Sequence, residues 1–216
     1  MRYLFLFFIP FLGFSQPFNI IDDNGQKQGK WIKKYENGLN RYTGQFKNDI
    51  PYGLFHYYYE SGELRIEKKY FHQGQAAATH FFYKNGTLKS AGIYVNELKD
   101  STWNYYDQDS ILIMTEQYKQ GKLNGQTKTY FSNGSIYEVK NWKDDLLEGE
   151  CKQYYMDRSI KMKCMYINNV RNGKEIYYYP NGKIYYDGQF GRGLREGKWI
   201  YYNDQGLVDT TIYYNE

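Results

Sequence analysis

The sequence repeats itself every 24 residues, and this constrains the fold more than any other feature. A unit that short cannot bury an apolar side alone and must stack on like neighbours. Gly29, Gly53, Ala77, Ser101, Gly125, Gly149, Gly173 and Gly197 mark position 0 of eight copies, with no insertion or deletion between them. Position 17 is aromatic in every copy: Phe46, Tyr70, Tyr94, Tyr118, Trp142, Tyr166, Phe190 and Tyr214. Position 5 is Lys34 in the first copy and then Tyr58, Phe82, Tyr106, Tyr130, Tyr154, Tyr178 and Tyr202. Position 11 is apolar from Leu64 onward.

Each copy has the grammar of a β-hairpin. Glu175 to Tyr179 lead into Pro180-Asn181-Gly182, and Ile184 to Tyr186 follow. Asn-Gly recurs at Asn37-Gly38, Asn85-Gly86, Asn133-Gly134 and Asn181-Gly182, and this pair favours tight two-residue hairpin turns. A turn at positions 8 and 9 makes facing positions sum to 17. Position 17 then places an aromatic ring over the position-0 glycine, and position 6 faces the aliphatic position 11. One face carries Trp31, Trp103, Trp199, the position-17 rings and the aliphatic stripe. The other is polar apart from the position-5 tyrosines. The expected fold is all-β, an elongated antiparallel sheet or solenoid of eight 24-residue hairpins. Sixteen strands spaced about 4.8 Å apart would extend roughly 70–75 Å. Phe, Trp and Tyr make up 20% of the chain beside 21 glycines and only 4 prolines, which suits strands and excludes a disordered chain or a helical bundle.

The ends differ from the array. Arg2, the apolar run Tyr3 to Leu12, and the small residues Gly13 and Ser15 have the form of a cleavable secretory signal over residues 1–15. Ten apolar residues are too few for a bilayer span, which takes about 20. The expected mature chain begins at Gln16 and is exported to the periplasm, the cell surface or the medium. Residues 16–28 read as a half-repeat capping the first edge, and residues 29–216 as one domain of eight repeats.

The segment Tyr186-Asp187-Gly188-Gln189-Phe190, followed by Gly193, Gly197 and Trp199, resembles a MORN repeat. Tyr42-Thr43-Gly44-Gln45-Phe46 with Gly53 matches the same pattern in part. Copies with Lys68, Glu116 or Lys140 in place of the glycine look more like the bacterial variant of that repeat. The resemblance covers about residues 18–216. It implies stacked antiparallel hairpins and an interaction scaffold or a membrane-surface role; some variant members carry an antitoxin-like label, which fits an exported chain badly. The segment Gly197 to Gly206 is also similar to choline-binding and glucan-binding wall repeats, which are shorter and carry tryptophan more regularly.

Candidate chemistry is sparse. His56 and His80 share an offset in adjacent copies, about 9–10 Å apart, too far for one metal to bind both; with His72 they read as surface residues. Cys151 and Cys164 occupy positions 2 and 15, which face each other across the sixth hairpin. They read as a structural disulfide or as two buried thiols. The acidic pairs Asp22-Asp23 and Asp144-Asp145 read as solvated turns. No nucleophile elbow, phosphate loop or dinucleotide fingerprint is present, so no catalytic residues, no metal and no cofactor are expected. The net charge of +4 is spread along the chain and gives no sign of a nucleic-acid partner. The best binding candidate is the position-5 stripe. It either presents rings to a partner or a sugar, or packs and stiffens the sheet. Three roles follow: a non-enzymatic scaffold for an unknown protein partner, a carbohydrate or cell-wall binder, or peripheral association with a lipid surface.

Overall fold

The computed structural model describes residues 17–215, so the expected signal segment lies outside the described residues. The fold is all-β: twenty strands in one open antiparallel sheet, each paired with its neighbours in the chain. Sixteen are the expected hairpin strands. The other four are two residues long: Ile20–Ile21, Ile50–Pro51, Leu146–Leu147 and Val170–Arg171. Ile20–Ile21 pairs with the first hairpin, and the Asn19 side chain accepts a 2.8 Å hydrogen bond from the Ile32 amide. The lead-in thus satisfies backbone groups of an edge strand that would otherwise invite another chain.

The register is as expected over most of each hairpin, with Gly29 opposite Phe46 and Lys33 opposite Tyr42. Near the turn it differs. Tyr35 closes the loop against Leu39, and its carbonyl accepts from the Gly38 amide. The loop is therefore three residues long, a type I turn followed by a left-handed residue. Gly38 has φ 84°, while its neighbour Asn37 is not left-handed; the Asn37 side chain instead accepts from the Leu39 amide at 3.0 Å. The two-residue primed turns lie between repeats. Asn48-Asp49, Asn96-Glu97, Asp144-Asp145 and Asn168-Asn169 have both φ angles positive.

The longer loop would invert every side chain beyond it. One extra residue at position 12 prevents that. Tyr57 faces Ile66 and Tyr58 faces Leu64, so Arg65 is a bulge, and all eight hairpins repeat the device. Two expectations change. Position 11 faces position 5, so the aliphatic stripe lies with the tyrosines and not with the tryptophans. Position 12 joins the ring face, where Lys89 lies over the Tyr83 ring at 5.5 Å and Tyr185 packs on Tyr179 at 5.0 Å.

The position-0 glycines serve the backbone. Gly29, Gly53 and Gly197 have φ between 58° and 69°, and a Cβ on any of them would meet nothing within 4 Å; no ring covers them. Ring cover occurs at position 15. A Cβ on Gly44, Gly92 or Gly188 would sit 2.1–2.3 Å from the ring of Phe55, Trp103 or Trp199, position 2 of the following copy. These three rings are at most 2% exposed and form the heart of the ring face. Trp199 packs against Tyr186, Phe190 and Tyr214, and its indole N–H donates to the Gln189 carbonyl at 3.2 Å.

A second tie between repeats runs through position 6. The hydroxyls of Tyr35, Tyr59, Tyr83, Tyr155 and Tyr179 each donate to the carbonyl of the next copy's position-5 residue at 2.7–2.9 Å. The fourth and fifth copies have Asp107 and Phe131 there. Tyr179→Phe should lower stability by about 1 kcal/mol, leaving the Tyr202 carbonyl without its donor. Phe131→Tyr, which can only gain a bond, should be neutral or stabilising. Urea midpoints of the two variants check both.

Candidate functional site

The expected stripe is a continuous feature of the sheet. Tyr58, Phe82, Tyr106, Tyr130, Tyr154, Tyr178 and Tyr202 lie on the face opposite the tryptophans, all half-buried. Two strand spacings separate successive members, about 9.6 Å. Among the described residues no two of these rings stack on one another. Each sits instead across from an aliphatic residue of its own hairpin, as Tyr58 does from Leu64 and Tyr178 from Ile184. Hydroxyls from this row meet polar neighbours: Tyr202 donates to Asp187 at 3.2 Å, and Tyr130 lies 3.4 Å from the Thr115 hydroxyl.

On the same face Glu67 stands between two histidines. Its carboxylate oxygens lie 3.1 Å from His56 Nε2 and 3.6 Å from His80 Nδ1. A polar hollow of about 260 Å³ opens further along, lined by Gln126, Asn141, Glu150, Lys152 and Tyr154.

The ring face carries a feature that the aromatic pattern alone did not reveal. Position 22 is a cation in three copies, Lys27 holds the equivalent place in the lead-in, and each lies over rings of the following hairpin. Lys27 covers Trp31 and Phe46, and Lys99 covers Trp103 at 4.7 Å. Arg171 covers Phe190, and Arg195 covers Trp199 at 4.2 Å. Alkyl stems lid the rings while the charged ends meet both water and π-faces. The recurrence of Lys27, Lys99, Arg171 and Arg195 at one offset was the available signal. Around Trp103 the cations join a polar cluster. Lys99 donates to the Tyr105 hydroxyl at 2.7 Å, and Tyr105 and Tyr118 both donate to Glu116. Burial, with the Glu116 carboxylate, pushes Tyr118 up to about 12 and Tyr105 higher still. Burial also pulls Lys99 below the usual lysine value. Both hydroxyls stay protonated at neutral pH and hold Glu116 as donors.

Cys151 and Cys164 are directly opposite, as the offsets required, and both are buried beside Met162. They are free thiols here. Cys164 directs its proton to Cys151, which raises its own pKa and lowers that of Cys151.

No curated protein matches the chain. The family model described as MORN repeat variant matches residues 123–144 and 171–190. MORN repeats are generally a non-enzymatic module. The two matched stretches run from the inter-repeat end of one strand to the next, and their hairpins share one register with the other six copies. The chain thus carries the MORN repeat variant at residues 123–144 and 171–190, which supports a MORN-repeat array.

Proposed function

We propose that the protein is an exported, non-enzymatic scaffold that holds a protein partner on its ring-bearing sheet. The supporting observation is the position-5 row: seven half-buried rings at a fixed spacing, none stacked on another, on a sheet without interruption. Such a row offers large contact area with little side-chain entropy to lose. Export also bears on Cys151 and Cys164, which in an oxidising compartment would close across the hairpin and stiffen the sixth copy.

Affinity capture with residues 16–216, kept oxidising, tests this reading. Tyr106→Ala/Tyr130→Ala should lose one or two captured proteins, and the intact mass should be two hydrogens below the dithiol form. Capture unchanged by the double variant removes the row from the mechanism. The polar hollow beside Tyr154 favours a second reading, in which the row stacks sugar rings while Gln126, Asn141 and Glu150 bond their hydroxyls. Binding to a glycan array that survives Tyr154→Ala would count against it.

A further inference from the structure

We propose that a hollow in the ring face, spanning the second to fourth copies, is a docking pocket for an acidic segment of a partner protein that inserts an aromatic side chain. The inference rests on the protein-binding reading and assigns it a second place, on the face opposite the position-5 row.

The hollow opens where the third copy carries small residues between the large rings of its two neighbours. Position 2, which is Phe55 in the second copy and Trp103 in the fourth, is Thr79 in the third. Position 13, which is Tyr42, Ile66, Met114, Met162 or Tyr186 in five copies and Glu138 or Thr210 in two, is Ser90 in the third. Both small residues are buried, Thr79 at 0% and Ser90 at 7% exposure. Ser90 lines the hollow, and the volume that a larger side chain there would enter is open, about 370 Å³ between Ile66, Phe81 and Trp103. That is at the low end for a ligand pocket, and it is the scale of one aromatic side chain entering beside its own backbone. The walls are themselves rings, so an entering ring can meet them edge-on or offset.

The rim is charged with one sign. Arg65 and Lys89, both bulge residues at position 12, and Lys99 at position 22 line the opening. Arg65 and Lys89 are exposed. Among the described residues no carboxylate is within ion-pair distance of these three cations. The nearby Glu116 carboxylate is held by the Tyr105 and Tyr118 hydroxyls. An apolar hollow with a cationic rim selects an apolar anchor flanked by carboxylates and disfavours a basic segment.

The probe is the peptide acetyl-Asp-Glu-Trp-Glu-Asp-amide, titrated into the nitrogen-15-labelled chain. Saturable shifts are expected at the Phe81, Ser90 and Trp103 amides. Arg65→Glu/Lys89→Glu should weaken binding about tenfold or more. Lys161→Glu, the same position in the sixth copy, where Met162 fills the neighbouring offset, should leave it unchanged. Ser90→Tyr places in the third copy the residue that Tyr42 and Tyr186 supply elsewhere. It should abolish the shifts while circular dichroism shows the sheet intact. The proposal is overturned by absent or non-saturable shifts, by shifts centred on the position-5 row, or by equal affinity for peptides with Lys flanks or with Ala for Trp. Affinity capture with Arg65→Glu/Lys89→Glu separates the two ideas. Partners retained in full leave the scaffold reading standing and remove the hollow from it.

Discussion

Replacing Trp103 with Ala should cost about 3–5 kcal/mol, among the largest losses expected of any single substitution in the chain. The indole is 1% exposed and touches Tyr94 edge-on at 4.9 Å, with Phe81 and Tyr105 beside it. Its N–H donates to the Ile93 carbonyl at 3.2 Å, and Lys99 lies over its face. Truncation removes the ring, leaves that carbonyl unpaired, and uncovers Gly92, which has no side chain of its own. The sheet has no second layer to collapse into the gap, because strands contact only their neighbours in the chain. Urea denaturation followed by circular dichroism gives the loss. A midpoint shift equal to that of an exposed substitution such as Lys69→Ala would show that the ring is not part of the core.

Gly188→Ala should destabilise by about 2–3 kcal/mol, near the upper end for overpacking by a single methyl. The added Cβ would lie 2.1 Å from the Trp199 ring, where no real Cβ sits. The ring is wedged by Tyr186, Phe190 and Arg195 and cannot swing away freely. The chain contains its own control. Where position 15 is not glycine, the next position 2 is small or polar: Lys68 precedes Thr79, Glu116 precedes Thr127, Lys140 precedes Cys151 and Cys164 precedes Glu175. Gly188→Lys should therefore be severe alone and partly relieved by Trp199→Thr, which rebuilds the Lys68 and Thr79 arrangement. A double-mutant cycle reads this as a favourable coupling, and strict additivity would refute the steric account.

The glycine and ring pairs show where sequence reasoning went wrong locally while remaining right globally. An aromatic over a glycine was expected within one hairpin, at positions 17 and 0. It occurs between hairpins, at positions 15 and 2, because position 0 needs glycine for its left-handed backbone. The third copy supports this division of roles. Ala77 is not left-handed, and there a four-residue loop from His72 to Gln75 replaces the tight turn and its bulge. The position-5 row was legible because seven aromatics at one offset must share a face. Its companions were not. The Asn-Gly pairs suggested a two-residue turn, and only the closing bonds show a three-residue loop with a bulge behind it.

The sequence by itself determined the all-β class, the 24-residue hairpin unit, the register from position 0 to position 4, and the meeting of Cys151 with Cys164. All of these follow from periodicity, since a repeated offset must occupy a repeated place. Tertiary structure alone decided which side chains share a face beyond the bulge, which tyrosine hydroxyls tie one copy to the next, and where the ring face opens beside Ser90. Each of these depends on one residue more or less in a turn, or on side chains from two copies meeting. A strand alternates faces at every residue, so a single unforeseen bulge reassigns a whole row while leaving the periodic pattern untouched.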